Sequence, residues 1–448
     1  LLLDDKIELH RWSARLVERI LISLRVYHKD TEIQIAACST LLSISYAEED
    51  DQAIASVDGQ QFARSMLECM RSKSEELAEV ASELVASVLP RMVSLVGNIV
   101  DSPDSMESIV GCLLRFQSTV AIVSNCCSIL ASVTTLHDKY VVPLVAQSGG
   151  VSAILDAINN HRRNEIVQES ACKALMGISR GIPHNMLGEM RTYLADTTVR
   201  ALKENITSPD TEAAVLEVIW YLCSRDQLFK DAFSRHNLIP SIVKVMDQSI
   251  YDRNVQGGGC TSLWTLSGFG ENKRIIGDCG GLRSIINALL AHLDAIRIQK
   301  EGLTALKNLA TTSRNKELIT AYGGEDAIII SLRANMMRSE EVIAAGFSAL
   351  NNIAVDTVTG SVSRAPEHVF ECILIAMRRF TLSLPVQQNA CFLLKSYTFA
   401  TGNIKLMQQR SEEFMAALTF AAENFPAACG DRAIYVSDML FENNGDAY

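Results

Sequence analysis

Residues 298–309 read IQKEGLTALKNL. Ile298, Gly302, Ala305, Leu306 and Leu309, at offsets 0, 4, 7, 8 and 11, are small or apolar, and most of the positions between them are polar. At about 100° per residue those five share one side of an α-helix, so the stretch predicts a helix that buries a single stripe. The pattern returns as VQESACKALMGI from Val167, VQQNACFLLKSY from Val386, IQIAACSTLLSI from Ile33, VQGGGCTSLWTL from Val255 and VIAAGFSALNNI from Val342. Weaker copies begin near Leu77, Ile122 and Thr211, and a last, irregular one near Cys429. The starts at 33, 77, 122, 167, 211, 255, 298, 342, 386 and 429 are separated by 43 to 45 residues throughout. A constant period over 448 residues, a length beyond one compact core, predicts one elongated array of stacked units spanning residues 1–448.

Each unit holds more than this helix. Apolar amphipathic runs lie upstream of it, as in VSAILDAI (151–158), LRSIINALL (282–290) and EDAIIISLRA (325–334). Gly149-Gly150, Gly280-Gly281 and Gly323-Gly324 precede these runs. A glycine pair there predicts the end of one helix in the left-handed conformation and a sharp turn into the next. Several of the nine prolines, such as Pro209, Pro240 and Pro385, fall between predicted helices, where they block continuation. No stretch alternates like a strand.

A Gly-Gly turn, a helix of IxxLIxLL type and a VQxxAxxALxNLA helix together resemble the armadillo repeat. The copies ending KNLA (307–310) and NNIA (351–354) match best, and the likeness runs over nearly the whole chain. The resemblance implies an all-α fold: a right-handed α-solenoid of nine to ten three-helix units. In that family the third helices line a concave groove that receives extended or helical protein segments. The family also includes adhesion and signalling scaffolds, import adaptors, chaperones and regulatory subunits, so the likeness speaks to fold before function.

On the third helix, offsets 3, 6, 9, 10 and 13 point away from the core stripe. The family's groove asparagine sits at offset 10, where its amide offers a donor and an acceptor to a bound backbone. This chain has Asn308 and Asn352 there. Import adaptors add tryptophan at offset 6; that ladder is missing here, where offset 6 holds Lys173, Glu217 and Phe392 among others, and import-adaptor function is correspondingly a less expected reading. Trp220 and Trp264, 44 residues apart, both occupy offset 9, with Tyr221 beside the first. Exposed aromatics are frequent binding anchors, and cover by the next repeat is the other reading. The expected groove residues are therefore Trp220, Tyr221, Trp264, Asn308, Asn352, Lys173 and Phe392. Gly257-Gly258-Gly259 costs helix stability of about 1 kcal/mol per glycine relative to alanine. The more economical reading is a displaced helix start preceded by a loop; the other is a groove floor approached closely by a partner backbone.

Net charge is −11, and basic residues are not clustered, which disfavours nucleic acid and anionic membrane surfaces. Twelve cysteines lie mostly within apolar helical patterns and form no C-x-x-C pair, which predicts buried free thiols in a reducing compartment, the cytoplasm or the nucleus. No apolar run reaches the length of a membrane span. Phosphate-loop, HExxH and GxSxG signatures are absent, and the eight histidines form no local metal pair. The expected function is a non-catalytic protein-interaction scaffold or adaptor, without cofactor or metal. The alternative is a regulatory or chaperone-like subunit of an enzyme complex. Neither partner identity nor oligomeric state follows from the sequence.

Overall fold

The computed structural model describes residues 15–47, 58–102, 104–136, 138–204, 208–355, 362, 365 and 367–442. The described residues are helical almost throughout; their one extended pairing is an antiparallel bridge between Val355 and Val362. The chain divides into two compact units, Leu1–Phe229 and Lys230–Tyr448, each of which is a stack of helical repeats.

All ten copies of the repeat motif carry a helix, numbered here α1 to α10. In the first unit these are α1 (Thr31–Ala47), α2 (Glu75–Val88), α3 (Val120–Leu136), α4 (Glu165–Ser179) and α5 (Pro209–Arg225). In the second they are α6 (Arg253–Leu266), α7 (Ile296–Leu309), α8 (Glu340–Ala354), α9 (Leu384–Tyr397) and α10 (Asp431–Glu442). Within each unit, each motif helix packs on the next in chain order. The full three-helix unit is clearest at Gly270–Asp278, Gly281–Ala291 and α7, and again at Ser313–Ala321, Gly324–Asn335 and α8. Before α5 one long helix, His184–Lys203, stands where the units ending in α3, α4, α6, α7, α8 and α10 have two.

The sequence pattern maps onto specific contacts. Offset 0 is buried in every copy from Leu77 onward, as in Val167, Val255, Ile298, Val342 and Val386. Three residues earlier sits the helix N-cap. Asn164, Asp252 and Ser339 accept a hydrogen bond from the backbone N–H of Val167, Val255 and Val342 at 3.0, 2.9 and 3.3 Å, satisfying a donor the helix itself leaves open. Offset 4 must be small because the preceding helix crosses there. A Cβ on Gly302 would stand 3.0 Å from Leu289, and one on Gly346 would stand 2.6 Å from Leu332.

The glutamine after offset 0 has a task that periodicity does not reveal. Gln168, Gln256, Gln299 and Gln387 are buried, and each donates through Nε2 to two carbonyls, ten and seven residues back, at 2.7 to 3.1 Å. Those carbonyls belong to the C-terminal turn of the second helix, which has no intrahelical donors left for them. One amide thus caps one helix from inside the next.

The glycine pairs divide their labour as expected. Gly149, Gly280 and Gly323 take φ of 80°, 91° and 71°, the left-handed region. Their partners need room instead: a Cβ on Gly150, Gly281 or Gly324 would come within 2.9 to 3.0 Å of the carbonyl oxygen of Val145, Ile276 or Ile319.

Gly257-Gly258-Gly259 corrects the displaced-start expectation. α6 begins at Arg253 with Asp252 as its cap, and all three glycines are helical and buried. Asp252 accepts from Asn254 N and Val255 N, both at 2.9 Å, which fixes the helix start, and burial of the helix offsets the remaining glycine penalty. Gly259 is the offset-4 position, and its missing Cβ makes room for Met246, whose Cγ would lie 2.5 Å away.

Candidate partner-binding groove

In the second unit the outward-facing offsets of successive motif helices come together. They line a cavity of about 530 Å³. Thr311 stands at offset 13 of its repeat, just past the end of α7, and Asn352 at offset 10 on α8. Phe392 and Lys395 on α9 contribute offsets 6 and 9, with Phe399 beyond its end at offset 13; Arg432 on α10 stands at offset 3. The cavity therefore runs along the face that the helical wheel sets opposite the core.

Two of the seven expected residues, Asn352 and Phe392, meet in this cavity. Phe392 is exposed, and the guanidinium carbon of Arg432 lies 5.1 Å from its ring centroid. Asn352 is half-buried and donates Nδ2 to the Lys307 carbonyl at 2.9 Å, linking α8 to α7. The second N–H and the carbonyl of that amide are additional bonding capacity. Asn308, one repeat earlier, donates to Ser267 Oγ at 3.4 Å and does not line the cavity. Trp264 is half-buried on α6 and also lies outside the cavity lining.

The remaining three expected residues belong to the first unit. Trp220 and Tyr221 are half-buried at the C-terminal end of α5, with ring centroids 4.5 Å apart and planes tilted by 46°. The Arg180 guanidinium lies 5.2 Å from the Tyr221 centroid, so a cation of the chain itself already occupies that ring. Lys173 donates to Glu169 at 2.7 Å and to Asp210 at 3.1 Å. Partial burial alone would lower its pKa; the two carboxylates outweigh it and hold the ammonium above its ordinary value. Lys173 is thus a link between α4 and α5 with its charge already answered.

Sequence reading missed Arg432 and Tyr435, and left Lys395 and Phe399 outside the expected site. The copy beginning at Cys429 is irregular because its first turn is a π-helix, Pro426–Gly430, ahead of α10. The signal was nevertheless there, since offset 3 of that copy is Arg432. Lys395 Nζ lies 4.9 Å from the Tyr435 centroid, and Phe399 and Tyr435 have centroids 6.4 Å apart. Among the described residues no group of three His, Cys, Asp or Glu is placed to hold a metal ion, and no single helix is long and apolar enough to cross a membrane.

No family model matches the sequence, and no curated protein is significantly similar to it. Solved structures are similar in fold. An engineered protein determined by a structural genomics consortium superposes over 95% of this chain and 98% of its own, with a TM-score of 0.68 and 19% identity. A structure described under the interaction of cadherin with beta-catenin, and the phosphorylation switch that controls it, superposes over 94% of this chain and 79% of its own, with a TM-score of 0.69 and 15% identity. A designed armadillo repeat protein matches over 55% of this chain and 98% of its own, with a TM-score of 0.46 and 14% identity. The two likenesses that span nearly the whole chain, taken with the ten-fold motif, the glycine turns and the stacked motif helices, make the fold an all-α solenoid of armadillo-type repeats.

Proposed function

We propose that this protein is a non-catalytic scaffold that holds a segment of a partner protein along the motif-helix face of its second unit. The observation that supports this reading is the cavity lined by successive motif helices from Thr311 to Arg432. It offers exposed rings, an amide and cations on rigid helices, the mixture that anchors extended chains. Repetition of outward positions at one period suits a ligand that is itself periodic, and an extended backbone is one. A basic signal peptide is disfavoured, because Lys316, Lys395 and Arg432 all line the cavity and repel cations.

A photo-crosslinking amino acid placed at Asn352, and separately at the exposed Asn287 on the outer helix Gly281–Ala291, tests the proposal in cell lysate. Discrete partner peptides should be captured from Asn352 and not from Asn287. Equal capture from both positions, or capture from Asn287 alone, contradicts a groove-bound partner.

A further inference from the structure

We propose that the cavity around Lys395 and Arg432 takes an acidic peptide segment, with a carboxylate side chain held by the two cations and an adjacent apolar side chain resting on Phe392 and Phe399. This inference rests on the groove reading above and gives its occupant a chemistry.

Charge pairing carries the argument. Several cations of the second unit, though not all, have carboxylate partners: Arg253 with Asp294 at 2.7 Å, Lys300 with Glu341 at 2.7 Å, Arg314 with Asp278 at 2.8 Å, and Arg378 with Glu413 at 2.6 Å. Lys395 and Arg432 differ. Among the described residues neither pairs with a carboxylate; each lies against an aromatic ring, and Arg432 also donates Nη1 to the Ala428 carbonyl at 2.6 Å. A ring carries no formal charge and answers a cation only partly. A guanidinium has five donors, and with one given to the Ala428 carbonyl Arg432 keeps others of the kind that grip a carboxylate.

The surroundings agree in sign. No aspartate or glutamate lines this cavity, although the chain as a whole carries a net charge of −11. A local positive hollow in an acidic molecule attracts an acidic segment and rejects a basic one, and the acidic remainder of the surface repels broad polyanions such as nucleic acid or an anionic bilayer. Phe392 and Phe399 are 42% and 61% exposed beside these cations, an apolar area for the residue next to the carboxylate.

The test selects random displayed dodecapeptides against the full chain and against Lys395→Glu/Arg432→Glu. Wild-type protein should enrich peptides in which Asp or Glu neighbours an aromatic or aliphatic residue. The charge-reversed variant should lose that enrichment and shift toward Lys and Arg. Fluorescence anisotropy with the winning peptide should show Kd weakened about ten-fold or more by the reversal, and weakened less by Lys395→Gln/Arg432→Gln, whose helicity is checked by circular dichroism. Enrichment of neutral or basic peptides by wild type overturns the proposal. So does acidic enrichment that survives reversal. If peptides bind irrespective of Lys395 and Arg432 yet are lost with Asn352→Ala, the groove reading stands and the acidic occupant falls. If no peptide is selected, both fall.

Discussion

At the scale of single residues, the buried glutamine after offset 0 is the most economical device in this chain. Gln299 Nε2 reaches Leu289 O at 2.7 Å and His292 O at 2.9 Å. Gln299→Ala leaves both carbonyls without that donor and is expected to cost about 2–3 kcal/mol, read as a lowered midpoint in urea denaturation. Gln299→Glu should cost more, because it sets an acceptor against two acceptors. Equal midpoints for the variants and wild type would show that the bonds contribute nothing. The thiols make a second residue-scale expectation. Of the twelve cysteines only Cys279 is half-exposed, and burial pushes Cys127, Cys172 and Cys260 up to about 12. The thiolate is the reactive form, so a native-state titration with a disulfide reagent should find no more than about one rapidly reacting thiol, against all twelve in denaturant. Several fast thiols in the native protein would contradict this burial.

At the scale of the element, the glycine run in α6 separates two roles that look identical in sequence. Gly257 is helical, and the nearest atom to a Cβ there is in the Arg297 side chain at 3.6 Å, an ordinary contact. Gly257→Ala is expected to raise stability by about 0.5–1 kcal/mol through helix propensity. Gly259→Ala should show no such gain, because its Cβ would meet Met246 Cγ at 2.5 Å. Comparing the two denaturation midpoints checks the assignment, and identical shifts would remove it. The start of α6 lies ahead of the glycine run and not after it. The run GGG suggests a loop, whereas Asp252 two to three residues ahead of the first capped N–H groups fixes the boundary. The cap position at offset −3 is present in the sequence in Ser74, Asn164, Asp252 and Ser339; the cap offsets about one glycine of the three, and burial of α6 against its neighbours supplies the rest.

At the scale of the whole molecule, ion pairs join neighbouring repeats within each unit, as Arg191–Asp226 does in the first and Arg253–Asp294 and Arg378–Glu413 do in the second. Arg253 holds the Asp294 carboxyl below its ordinary value, and Arg410 and then Arg378 do the same for Glu413. For Asp226, burial alone would raise the value, but the Leu228 N–H and Arg191 overcome it. A carboxyl depressed in the folded state stabilises the fold above its unfolded pKa and loses that contribution as pH falls through the folded one. The denaturation midpoint should therefore fall as the pH is lowered below about 4, the ordinary carboxylate range. A midpoint that rises on acidification would contradict the paired state of these groups.

The sequence by itself determined the repeat, its period, the helical class and the core stripe, because each is written in local periodicity and in glycine pairs whose first member takes a φ that few other residues adopt cheaply. It also determined which face turns away from the core, and Asn352 and Phe392 do meet on that face. What it left open depended on which groups the stack brings within bonding distance. Lys173 is answered by Asp210 and Tyr221 is covered by Arg180, whereas Lys395 and Arg432 meet only rings and a carbonyl. Only tertiary structure decides such matters, because these partners, apart from that carbonyl, lie about a repeat apart in the chain, and local pattern carries no information about which charges will find one another.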